Sequence, residues 1–177
     1  MFELSLLFLV FAWARLFDSA PLADLHWSAS AALIGIAGAL PPLAFFWWTL
    51  RSDRPPLLRH RALMENLMRP MFANWEVRHL AIVSAVAGFC EEALFRGAVQ
   101  GGLAGRIGAP AALLLASLAF GAAHLITWTY GVMASLIGAY LGALWIWTGN
   151  LLTPMVTHAV YDFCVLVYLL YRQQKKA

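Results

Sequence analysis

Glu91, Glu92 and Arg96 stand within six residues of one another in the middle of an otherwise apolar stretch. Three more proton-exchanging groups, His124, His158 and Asp162, lie in later apolar segments. On a helix of 3.6 residues per turn Glu92 and Arg96 share a face and can pair, and so can His158 and Asp162. Glu91 is turned about 100° away from Glu92, so if Arg96 holds Glu92, Glu91 points elsewhere. A carboxylate beside an imidazole can deprotonate a water held between them. Burial and a neighbouring guanidinium act on a carboxylate's proton affinity in opposite directions, so the cluster can set Glu91 and Glu92 apart. A second imidazole on another helix can donate to a developing oxyanion. Asp162 can orient His158 or accept its proton. Such a set suits hydrolysis of a peptide bond inside a membrane. Glu91, His124 and His158 are also donors of the type that hold a divalent metal such as zinc, whose bound water would then be the nucleophile. The residues alone leave both routes open.

The elements that must position these groups are membrane-like. The chain has 177 residues, of which 62% are apolar and 12% charged, with a mean hydropathy of +0.73. That is too apolar for an ordinary soluble domain. The apolar residues come in blocks near the length of about 18–20 that a span requires. Alternating strand patterning is missing, which argues against a transmembrane barrel. The expected fold is all-α: a polytopic transmembrane helical bundle of about six spans, at residues 4–17, 27–50, 79–104, 109–126, 130–147 and 151–171. The first is short, and Pro41-Pro42 predicts a kink in the second. Gly97-x-x-x-Gly101 and Gly138-x-x-x-Gly142 predict close helix approach. Residues 1–78 divide off as N-terminal spans plus a basic interfacial segment, and residues 79–177 as a core with four helices. Each ionised group at a helix centre costs roughly 2.5–3.5 kcal/mol on insertion scales, so intramembrane charges are candidates for function.

Charge placement sets an orientation. Arg51, Arg54, Arg59, Arg61, Arg69 and Arg78 fall between spans two and three, and Arg172, Lys175 and Lys176 follow span six. With six spans these share one side, and only Arg15 and Arg106 lie opposite. The positive-inside rule then places both termini in the cytoplasm. In residues 55–78, Met64, Leu67, Met68, Met71, Phe72 and Trp75 recur near helical spacing among arginines, with Pro70 as an interruption. Either an interfacial helix or a solvated basic loop fits. The basic residues are expected to meet anionic lipid headgroups rather than nucleic acid. Residues 1–17 begin with Glu3 and lack a basic start, which favours a retained helix over a signal peptide. Cys90 and Cys164 read as small buried hydrophobes, Phe120 and Tyr161 as packing, and His26, His60 and His79 carry no assigned role.

Glu91-Glu92-x-x-x-Arg96, Phe120-x-x-x-His124 and His158-x-x-x-Asp162 occur in that order. In this the chain resembles the CPBP intramembrane proteases, which include the type II CAAX prenyl endopeptidases and bacterial Abi-type proteins. The resemblance covers residues 81–170. It implies a glutamic-type endopeptidase in which Glu91 and His124 activate the attacking water and Glu92 and Arg96 support the site. His158 and Asp162 would stabilise the oxyanion. No cofactor is required in this reading, although the family was long described as metalloproteases. An ionised Asp162 is a poor oxyanion donor, so it must be protonated or act through His158. The short chain is similar to compact bacterial members, some of which accompany C-terminal sorting systems of the JDVT-CTERM type. The implied partner is a membrane-embedded or lipid-anchored protein or peptide, for example one with a C-terminal sorting signal. The implied location is the bacterial inner membrane.

Other classes use the same charges. A proton-coupled transporter would be favoured by inverted repeats, and none is seen. A haem protein would use His124 and His158 as axial ligands. A thiol–imidazole protease would use Cys90. Depth offers one check. Glu91, twelve residues past His79, lies about 18 Å into a core about 30 Å thick, hence about 12 Å from the outer face. His158 counts to about 10 Å from that face, whereas His124 counts to about 22 Å and fits less well unless span four starts later or tilts.

Overall fold

The computed structural model describes residues 2–72 and 74–174. Among them every regular element is helical. Six rods follow the expected order. The first is α1 (Phe2–Phe17), and the second combines α2 (Ala29–Gly38) with α3 (Leu40–Arg51). A connecting segment holds α4 (Pro55–Leu63), a π-helical turn (Met64–Met68) and α5 (Arg69–Met71). The third rod is continuous: α6 (Val77–Glu92), a π-helical stretch (Ala93–Gly101) and α7 (Gly102–Ile107). Then come α8 (Ala109–Ala123), α9 (Trp128–Thr148) and α10 (Leu152–Gln174).

Local chemistry explains the boundaries. Ser28 caps α2 by accepting the Ala31 N–H at 3.1 Å, and Thr127 caps α9 by accepting that of Tyr130 at 3.1 Å. The expected kink is a break at Ala39, with Pro41 in the first turn of α3, where a missing N–H leaves no bond unmade. Gly108 (φ 83°) and Gly149 (φ 62°) supply the positive φ that turns α7 into α8 and ends α9.

Residues Ala29–Arg51, Trp128–Thr148 and Leu152–Leu170 are long and apolar enough to cross a membrane, while Ser5–Phe17 and Ala109–Ala123 are shorter apolar helices. Phe8, Leu33, Leu114, Leu118, Val132 and Leu136 face outward, each more than half exposed. So much apolar surface suits lipid rather than water, and the protein is read as an integral membrane protein. The segment after α3 is largely helical and packs on the bundle. Leu57 and His60 of α4 are buried against the bundle, and Arg61 donates to the Thr49 and Ser52 carbonyls at the end of α3, at 3.4 and 3.1 Å.

The hairpin at Gly108 corrects the depth estimate for His124. Glu91 lies seventeen residues before this turn and His124 sixteen after it. An antiparallel pair therefore brings them level, about 24 Å from the turn. Counting from nominal span ends failed because the third rod continues to Ile107, and α8 stops at Ala123.

Small residues let the rods meet. Gly138 and Gly142 of α9 leave room for Arg96 and Gln100, whereas Gly97 faces the Pro21 carbonyl of the 18–28 connection rather than a helix. At Gly88 of α6 a side chain would meet the backbone of α10, with Met155 O at 2.8 Å and Ala159 N at 2.9 Å. Gly88→Val should therefore separate α6 from α10 and destabilise the fold by about 2–3 kcal/mol. Thermal unfolding in detergent measures this. Gly105→Ala, with nothing within 4 Å, is the control and should leave the midpoint in place. Equal midpoints for both variants would contradict the packing described.

Candidate active site

The site is built on a buried ionic group at the junction of α6 and its π-helical continuation. Glu92 and Arg96 are 0% and 1% exposed, with Arg96 Nη1 2.8 Å from Glu92 Oε1. Arg96 Nη2 donates to the Gly138 carbonyl of α9 at 2.7 Å, and its guanidinium carbon lies 4.7 Å from the Phe120 ring centroid of α8. Gln100, one turn on, donates to the Gly142 carbonyl at 3.3 Å. Glu92 Oε1 also lies 2.8 Å from His158 Nδ1 of α10. One carboxylate thus ties its own helix to α10, and through Arg96 to α9 and α8. A buried charge needs such partners, because desolvation otherwise exceeds the Coulombic gain; of the Glu92–Arg96 pair, Arg96 Nε and Glu92 Oε2 have no hydrogen-bond partner among the described residues.

Glu91 and His124 stand beside this group. His124, at the C-terminal end of α8, bonds through Nδ1 to the Phe120 carbonyl at 2.8 Å. A carbonyl only accepts, so Nδ1 carries the hydrogen, and Nε2 is presented to Glu91. The Nε2–Oε2 distance is 3.6 Å, too long for a direct hydrogen bond. Across the site His158 Nε2 lies 3.5 Å from Asp162 Oδ2. The Phe120 ring packs against both imidazoles, at centroid distances of 4.4 Å to His124 and 5.9 Å to His158. Glu91, His124, His158 and Asp162 form the polar end of a cavity of about 250 Å³, whose other walls include Ala87, Met133, Ile137 and Val165.

Residues 73–164 match the family model described as type II CAAX prenyl endopeptidase Rce1-like. This is just over half of the chain, and it contains all three motifs. The chain belongs to this family. A similar protein is the uncharacterized protein YpbD of Bacillus subtilis (strain 168), 34% identical over 100 residues, which are 55% of this chain and 49% of YpbD. The chain thus spans about half the length of the curated relative that it matches. No solved structure matches it. At family level, membership supports a CAAX-type intramembrane protease, a hydrolase.

All six residues singled out in the sequence meet at this Rce1-like site, in two layers. Glu91, His124, His158 and Asp162 line the cavity, whereas Glu92 and Arg96 do not. The pairings Glu92–Arg96 and His158–Asp162 occur as the spacing suggests. The Glu92–His158 contact joins residues 66 apart, and nothing local signals it. Among the described residues no group of three or more His, Cys, Asp or Glu is arranged to hold a metal. Glu91, His124 and His158 do not converge, because the two ring nitrogens of His158 face Glu92 and Asp162. Cys90 is buried and is not part of the cavity wall.

Three wall residues had no assigned role: Ser84 on α6, His60 on α4 and Tyr130 on α9. The His60 ring stacks on Tyr130 at 5.4 Å, and Tyr130 meets His124 edge-on at 5.9 Å. Burial holds the His60 imidazole below its usual pKa. In the sequence His60 is flanked by Arg59 and Arg61, which disguises it as surface. Its only signal is the spacing Leu57, His60, Met64.

The two adjacent acids should separate in stability measurements. Glu92→Ala strands the buried Arg96 and should cost about 3–5 kcal/mol. Glu91→Gln should stay within about 1 kcal/mol of the parent. Thermal midpoints of the purified variants decide this; a Glu92→Ala protein as stable as the parent would remove Glu92 from the centre of the site.

Proposed function

We propose that this Rce1-like protein is an intramembrane endopeptidase in which Glu91 is the general base. Water held between Glu91 and His124 Nε2 attacks the scissile carbonyl carbon, and Glu91 takes its proton. The tetrahedral oxyanion is met by the proton between His158 Nε2 and Asp162 Oδ2. With Nδ1 donating to Glu92, that second contact is attractive only if Nε2 or Oδ2 carries a hydrogen. This is how Asp162 serves where an ionised carboxylate alone could not. Glu91 then returns its proton to the leaving nitrogen as the C–N bond breaks. Glu92 and Arg96 hold His158 and the helices in place. The reading runs without a metal. What supports it most is one observation: Glu91 and His124 face each other 3.6 Å apart on the wall of a largely apolar cavity.

The substrate class we propose is a membrane-embedded or lipid-anchored protein or peptide, such as one with a C-terminal sorting sequence. We further propose that both termini lie on the cytoplasmic side of a bacterial inner membrane. Arg51 and Arg54, which lie 5.8 and 5.7 Å over the Trp47 and Trp48 rings, face anionic headgroups there.

Membrane proteins of cells making the wild type or Glu91→Gln can be compared for chain termini by mass spectrometry. New termini should appear with the wild type and vanish with the variant. On a purified protein so identified, Glu91→Gln should slow cleavage by at least about 100-fold, and a strong chelator should leave the wild-type rate unchanged. The same termini produced by Glu91→Gln would end the assignment, and chelator-sensitive activity restored by zinc would end its metal-free form.

A further inference from the structure

Hydroxyls on the helices of this protein usually turn back to their own backbone. Ser117 donates to Leu113 O at 2.6 Å, Ser135 to Gly131 O at 3.0 Å and Thr148 to Leu144 O at 2.9 Å. Ser84 does not. It is 2% exposed, its Oγ has no hydrogen-bond partner among the described residues, and it lines the cavity below Glu91. A buried polar group left unmatched is costly enough to require an explanation. His60 Nδ1 is a second buried, unpartnered polar atom on the same cavity. Burial keeps that imidazole neutral near pH 7, able to give one hydrogen bond and take one.

The spacing identifies what would match these groups. Ser84 precedes Glu91 by seven residues, almost two full turns, so the two share a face about 10 Å apart. An extended peptide advances about 3.3 Å per residue, so the same distance covers three residues. Much of the remaining cavity wall is apolar, including Phe46, Val83, Ala87 and Leu169. An apolar trough with isolated polar atoms suits a peptide in extended form. The peptide's side chains would meet the walls and its amides the hydroxyl and imidazole. A hydrocarbon chain would leave both polar atoms unmatched.

We propose that the cavity between Glu91 and α4 is a main-chain binding site for extended peptide, in which Ser84 Oγ hydrogen-bonds an amide about three residues from the scissile bond and His60 serves a neighbouring one. The register relative to the cut rests on the peptidase reading of Glu91; the recognition of main chain does not.

The probe is an N-terminally fluorescein-tagged, C-amidated hexapeptide of leucine, valine and alanine. Its binding to the full chain in lipid nanodiscs is followed by anisotropy. Five further probes each replace one of its five peptide bonds by an ester. One ester should weaken wild-type binding about tenfold, the loss of a single buried hydrogen bond. Ser84→Ala should bind the parent peptide about tenfold more weakly and should not distinguish it from that ester. Ser84→Thr, which keeps the hydroxyl, should restore both affinity and discrimination. Ser84→Ala with wild-type affinity and an unchanged ester profile would overturn the proposal. So would a wild type that does not bind the hexapeptide, or one that discriminates against no ester. Cleavage of the same hexapeptide by wild type, absent in Glu91→Gln, reports separately on the peptidase reading. The ester signature without cleavage sinks that reading and keeps the main-chain site. Cleavage with Ser84→Ala indistinguishable from wild type does the reverse.

Discussion

Arg96 is a guanidinium with almost no exposure, in a protein whose surroundings are apolar side chains and lipid. Its charge is tolerable there only with partners held in good geometry. Glu92 supplies the countercharge from one turn away, Gly138 a carbonyl made reachable by a missing side chain, and Phe120 an aromatic face. Those partners sit on the same rod, on α9 and on α8. The carboxylate that neutralises Arg96 also holds His158 on α10. Satisfying one buried cation therefore sets the mutual positions of four helices, and with them every group at the polar end of the cavity.

The consequence for chemistry is a division between neighbours. Two adjacent acids on one helix cannot point the same way. Glu92 is enclosed by the ionic group, and Glu91 is turned to the cavity opposite His124. The orientation of His124 is set by its own helix, through the Phe120 carbonyl, and Phe120 also lies under Arg96. The ionic group and the Glu91–His124 pair are thus mechanically joined without sharing a hydrogen bond in the contacts described. The family match begins at residue 73, yet Phe46, His60 and Met64 close the cavity from outside it. The matched region carries the polar end, and the preceding helices shape the space in front of it.

Much of this was legible from residue types. The i,i+4 pairs Glu92–Arg96 and His158–Asp162 follow from helical geometry alone, and the apolar blocks marked the rods with small errors at their ends. Contacts between helices were not legible in the same way. The bond from Glu92 to His158 depends on how α6 packs on α10, which Gly88 permits but does not specify. The depth of His124 follows from the shared turn at Gly108, which a count from a membrane face does not contain. The π-helical stretch at Ala93–Gly101 contains no proline, and its two glycines read equally as helix-contact residues; it carries Arg96 and Gln100, the side chains that reach across to α9. His60 was hidden by its arginine neighbours, since burial there depends on α4 folding back over α9.

The central claim is that Glu91 activates water and forms no bond to the substrate. A single turnover in water enriched in oxygen-18, on a protein whose cut site has been mapped, tests this directly. The account predicts one heavy oxygen in the new carboxylate and none in the peptide of the enzyme that contains Glu91. Heavy oxygen in Glu91, or a new carboxylate that draws its oxygen from the enzyme in the first turnover, would show that Glu91 attacks the carbonyl itself and would contradict the account.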